Sequence, residues 1–158
     1  MEAILLTHAQ LAAVLAGFAS VVAAFQRPLA PIQRHRFLTI LFSALLQIIA
    51  CLTPVWLMAI REMSAVFWAV MSGVHLGFSI LLWGILVYPL RNLDKSSAFA
   101  INVPITVATY ILGMSSFVVL LVNTFVSRVS GFGLYYSSLL GGLTIIFFVF
   151  ADAATRND

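Results

Sequence analysis

Residues 65–88 read AVFWAVMSGVHLGFSILLWGILVY, an apolar run without one charged residue and with a histidine, His75, near its middle. Its length matches the roughly 20 residues that a helix needs to cross ~30 Å of hydrocarbon. The run predicts a membrane-spanning helix, and it raises the question of what an imidazole does inside one.

Working outward, four further runs share this character, at approximately Ala3–Phe25, Phe37–Ile60, Ile101–Val126 and Phe132–Ala151. The connections QRPLAPIQRHR, REMS, PLRNLDKSSAFA and SRVSG are polar and too short to hold a soluble domain. The expectation is an all-α polytopic bundle of five transmembrane helices forming one domain over residues 1–158. A four-span alternative stays open, because Asn123–Gly131 is only mildly polar and GFGLYYSS (131–138) could begin as a re-entrant turn.

Composition points the same way. With 63% hydrophobic and 8% charged residues and a mean hydropathy of +1.11, the chain carries more apolar side chain than a soluble domain of 158 residues buries. The net charge of +3 rests on eight basic residues, of which Arg27, Arg34 and Arg36 crowd one loop. Such clustering suits membrane orientation rather than nucleic-acid binding. Arg91, Lys95 and Arg156 fall on the same side as that loop, against Arg61 and Arg128 on the other. The positive-inside rule then places the N-terminus outside and the C-terminus in the cytoplasm. Cys51 is the only cysteine, which excludes an intrachain disulfide. MEAILLTHAQ lacks the basic start of a secretory signal, so the first run is expected to stay in the protein. Trp56, Trp68, Trp83 and Tyr88 suit interfacial belts, with Trp68 and Trp83 also able to pack between helices.

Faces follow from a turn of ~100° per residue. On the third helix Trp68, Ser72, His75, Ser79 and Leu82 share one stripe, while Gly73, Gly77 and Gly84 lie nearly opposite as a small-residue seam. Demands on both sides predict a central helix. On the second, Arg36, Thr39, Ser43, Gln47, Ala50 and Pro54 share a side. Pro54 frees the carbonyl of Ala50, which then needs another donor. Gln47 and His75 sit at similar depth on neighbouring antiparallel helices, so one expectation pairs them; the other turns His75 toward a hydrated cavity where it titrates or takes part in solute passage.

The fourth helix places Asn102, Thr106, Thr109, Gly113, Ser116 and Asn123 on one face, a stripe that reads either as a packed interface or as a water-lined path. The first helix offers Ala9, Ala12, Ala13, Ala16, Ser20 and Ala23 for close packing, and the fifth offers Ser138, Gly141 and Gly142. Asp152 is expected to pair with Arg156, four residues on. The pore or polar-stripe candidates are therefore Gln47, Ser72, His75, Ser79, Asn102, Thr106, Thr109, Ser116 and Asn123, and the packing candidates are Gly73, Gly77, Gly141 and Gly142.

Several chemistries find no support. Lys95, the only lysine, lies in a loop and offers no intramembrane Schiff-base site. His8, His35 and His75 are expected at three depths, which argues against a haem or metal centre within one chain. There is no phosphate loop, and no third group beside Ser72, Ser79 and His75 to complete a hydrolase. No cofactor and no enzymatic activity are expected.

The stretches LAGFASVVAAF, RFLTILFSALL, LLVNTF and YYSSLLGGLTIIFFVF resemble a widespread type of small bacterial multi-spanning membrane protein. The resemblance implies five spans and an inner-membrane location, and it carries over no catalytic or binding residues. Two functional classes follow. In the favoured one, copies assemble into a homo-oligomeric channel or transporter for an ion, proton or small solute, lined by the polar faces of helices 2 to 4. In the other, the chain is a non-transporting structural or accessory subunit, its stripes satisfied internally and its seams binding other membrane proteins.

Overall fold

The computed structural model describes residues 1–25, 31–58, 60, 63–90, 103–126 and 129–155. Five helices account for nearly all of them: α1 (Glu2–Phe25), α2 (Pro31–Met58), α3 (Ala65–Leu90), α4 (Val103–Phe125) and α5 (Phe132–Thr155). All five are long and apolar enough to cross a membrane. α5 is a continuous helix from Phe132 rather than a re-entrant turn followed by a shorter span.

Helix starts follow local chemistry. α2 begins at Pro31, six residues before the expected Phe37. Proline is pre-organised for a first helical turn, and Gln33, Arg34, His35 and Arg36 then continue the helix although they read as loop. At the start of α3 the Ser64 hydroxyl accepts the Phe67 N–H at 3.2 Å, capping a donor that the helix leaves unpaired. The remaining boundaries differ from the sequence reading by a few residues: α2 ends at Met58, α3 at Leu90, and α5 runs on to Thr155.

The helices run up and down. One end of the bundle, called here the N-terminal end, gathers the starts of α1, α3 and α5 and the ends of α2 and α4, with Leu5, Met58, Trp68, Leu120 and Phe132 in one cluster. α5 packs against each of the other four helices, whereas α1 rests on α2 and α5, and α4 on α3 and α5. The central element is therefore α5, not α3. The reason lies in the α3 glycines: a Cβ added at Gly77 or Gly84 would meet no atom within 4 Å, and one at Gly73 only the Thr124 side chain, its methyl at 3.4 Å. The close approaches occur instead at Gly141 and Gly142 on α5. A Cβ on Gly141 would collide with the Ser116 hydroxyl, and one on Gly142 with the Gln47 amide. Hydrogen in place of a side chain is what lets α4 and α2 lie against α5.

Two apolar clusters hold the bundle. Leu5, Ala9, Cys51, Trp68, Leu120, Tyr135 and Leu139 meet in the N-terminal half, and Ala12, Ala19, Phe37, Ile40, Ala44 and Ile146 meet in the other. On α1 the buried small residues are Ala9, Ala12 and Ala19, while Ala13 and Ser20 are exposed. The expected seam is thus rotated toward Leu5 and His8. The amphipathicity is inverted relative to a soluble bundle: small and polar side chains face inward, and large apolar ones such as Phe18, Leu45, Val66, Ile80, Ile111 and Phe147 face outward. Packing of this kind gains from dispersion and close approach rather than from removal of apolar area from water. Of the tryptophans, Trp68 is buried against Phe132 and Tyr135, Trp83 lies edge-on to Tyr110, and Trp56 is exposed.

Candidate functional site

The α3 stripe is the buried face of that helix. Trp68, Ser72 and His75 are buried, and Ser79 and Leu82 half-buried. Around it the N-terminal half of the bundle collects polar side chains from every helix. Asn123 of α4 donates its amide N–H to Ser72 Oγ at 2.6 Å. Its Oδ1 accepts the Gly131 N–H at 2.7 Å, and its carbonyl accepts the Ser130 hydroxyl at 2.6 Å. One buried asparagine therefore joins α4 to α3 and fastens the turn into α5.

Gln47 does not meet His75. Its Oε1 lies 3.2 Å from Nε2 of His8, both side chains being buried. The expected pairing fails because the Gln47 face of α2 is turned toward α1 and α5, the helices α2 packs against most closely. His75 instead sets its ring edge-on to Tyr135, with centroids 5.9 Å apart, and its Nδ1 has no hydrogen-bond partner. His8 makes the matching contact with Tyr136 at 5.8 Å. The two histidines thus flank one tyrosine pair. α1 and α3 both start at the N-terminal end, and both rings fall within about three turns of those starts.

The carbonyl of Ala50, deprived of its helical donor by Pro54, accepts the Tyr135 hydroxyl at 2.5 Å. This contact links α2 to α5 and puts the Tyr135 ring between Trp68 and His75.

At the other end of the bundle α2 and α5 are joined by an ion pair. Arg36 and Asp152 lie 3.2 Å apart, with side chains only 10% and 8% exposed. Asp152 therefore engages a cation on α2, brought to it by the packing of α2 on α5, and its expected partner Arg156 lies outside the described residues.

On α4 the stripe residues Thr106, Thr109 and Ser116 are half-buried. Ser116 sits against Gly141, Gly113 against Ile145, and Thr109 Oγ1 is buried without a hydrogen-bond partner. Asn102 lies outside the described residues. Several hydroxyls outside the cluster return to their own helix, including Ser115 to Ile111, Thr124 to Leu120 and Thr144 to Leu140. Among the described residues no three histidine, cysteine or carboxylate side chains gather as a metal site would require.

Sequence reasoning passed over His8, Tyr135, Tyr136 and the Arg36–Asp152 pair. A signal for His8 existed: with Leu5, Ala12 and Ala19 it follows the spacing of a helix face, and those residues are the buried side of α1. For Tyr135 there was half a signal, the acceptor that Pro54 exposes. The chain matches no protein-family model, no curated protein and no solved structure.

Proposed function

We propose that this is a multi-spanning subunit of the bacterial inner membrane, N-terminus outside and C-terminus cytoplasmic, that binds within the plane of the bilayer and does not pass a solute. The observation that carries the reading is the engagement of the polar stripes within one chain. Ser72 pairs with Asn123, and Gln47 with His8. A pore lining keeps such groups for water or ions, whereas here they join helix to helix. The outward surface, by contrast, is dominated by large apolar side chains suited to lipid and to other helices. The division of basic residues, six against two, supports the orientation. No catalytic step and no cofactor form part of this reading.

A second reading, a homo-oligomeric channel, draws on α4. It is the least covered helix, with 6% of its apolar window buried, and Thr109 Oγ1 lacks a partner. Proton and potassium flux into proteoliposomes separates the two. The proposed function gives flux equal to that of empty vesicles for the wild type and for Asn123→Leu and Gln47→Leu. Flux above that level, lost in Thr109→Val or Asn123→Leu while the fold persists, would establish the channel instead.

A further inference from the structure

A groove of about 270 Å³ opens laterally between α1 and α5 near the N-terminal end, lined by Thr7, His8, Tyr136, Leu11, Leu140 and Leu143 among others. Its wall is mostly apolar, yet it includes His8, whose Nδ1 is buried without a hydrogen-bond partner, so that a donor in the groove reaches it by a small displacement of the lining side chains. The other ring nitrogen identifies what Nδ1 needs. Gln47 presents Oε1, which only accepts, so Nε2 of a neutral His8 carries the proton and Nδ1 presents a lone pair. A buried acceptor of this kind calls for a donor.

We propose that this groove is a binding site for a lipid-phase amphiphile with a hydroxyl head, the hydroxyl donating to His8 Nδ1 and the alkyl part lying along Leu11, Leu140 and Leu143. The depth suits such a molecule. His8 is six residues into α1, so at 1.5 Å per residue its backbone lies about 9 Å below the helix start, where polar heads give way to acyl chains. The groove, about 270 Å³, has room for a ring or glycerol-sized head and the first carbons of a tail. The lone-pair geometry also sets selectivity. A phenol or alcohol is taken and its ether is not, because the ether brings a second acceptor to an acceptor. The site rests on the proposed lateral binding role, but its test does not involve flux, so either can fail alone.

The test uses full-length protein with ¹⁵N-labelled histidine in nanodiscs, titrated with 4-hexylphenol and with its methyl ether, 4-hexylanisole. The expected result is saturable binding of the phenol, about fivefold tighter than the ether for one net hydrogen bond, with a shift of the His8 Nδ1 resonance on phenol alone. That resonance is assigned by its loss in His8→Phe. Leu140→Trp fills the groove from a position 44% exposed, and it should abolish phenol binding while helix content and melting temperature stay unchanged. Equal affinity for phenol and ether, an unmoved Nδ1 resonance at saturation, or undiminished binding in Leu140→Trp would overturn the proposal.

Discussion

Removing the hydroxyl of Tyr135 tests how the bundle tolerates a proline in the middle of α2. Tyr135→Phe keeps the ring against Trp68 and His75 and deletes only the donor to the Ala50 carbonyl, a 2.5 Å contact. That carbonyl then has neither its helical N–H nor a side-chain donor. A buried acceptor left unpaired costs about 1–3 kcal/mol in soluble proteins, and side-chain hydrogen bonds in membrane bundles average ~0.6 with a ceiling near ~1.7. The expected loss is therefore on the order of 1–2 kcal/mol. The informative comparison is the same substitution in a Pro54→Ala background, where residue 54 regains an N–H aimed at Ala50. There Tyr135→Phe should cost no more than about 0.5 kcal/mol, because the acceptor already has its helical donor. Reversible unfolding in mixed micelles, followed by helix content and by Trp68 fluorescence, supplies the four free energies of the cycle. An equal cost in both backgrounds, within the ~0.3–0.5 kcal/mol at which independent sites add, refutes the link between the proline and the tyrosine.

Two substitutions to leucine separate the two glycine seams. Gly142→Leu drives a branched side chain into the Gln47 amide and should unfold or strongly destabilise the bundle, whereas Gly77 is exposed and a Cβ there meets no atom within 4 Å, so Gly77→Leu should leave the melting temperature of the isolated chain unchanged; chemical or thermal denaturation of both variants checks the pair. Asp152→Asn should destabilise by on the order of 3 kcal/mol, as removal of one member of a buried ion pair does, and pairing it with Arg36→Met should recover part of that loss in the same measurement.

Helix number and length were legible because each apolar run has the length that a helix crossing ~30 Å of hydrocarbon needs, and the structure has five helices long and apolar enough to do so. The inward faces of α2 and α3 were legible too. Arg36, Gln47, Ala50 and Pro54, like Trp68, Ser72 and His75, follow helical spacing and are buried. α1 was read about an eighth of a turn off at ~100° per residue, since alanines on both sides of its true seam look alike and only His8 marks which side turns inward. The start of α2 was missed for a related reason: Gln33, Arg34, His35 and Arg36 are polar, and polarity reads as loop even where a proline at position 31 starts a helix.

Partner choice was not legible, and the cause is geometric. A stripe fixes the side on which a polar residue lies, but the residue it meets depends on which helix packs there and at what stagger. Gln47 and His75 sit on helices joined by a short turn, which makes them neighbours in sequence terms. α5 nevertheless lies against both α2 and α3, and its glycines at 141 and 142 admit α4 and α2 closely. Gln47 is then held against Gly142 and reaches His8, while His75 faces the Tyr135 ring. Asp152 shows the same dependence on packing: the arginine it engages at 3.2 Å stands near the start of α2, far from it in sequence, and is brought to it because α2 packs on α5. For Gln47 that packing depends on Gly142, where a side chain would take the place of the amide. The stability of Gly142→Leu thus bears on the polar cluster as well as on helix packing: a bundle that kept its fold with Gln47 displaced would have to part that side chain from His8, which the ¹⁵N signal of His8 would report.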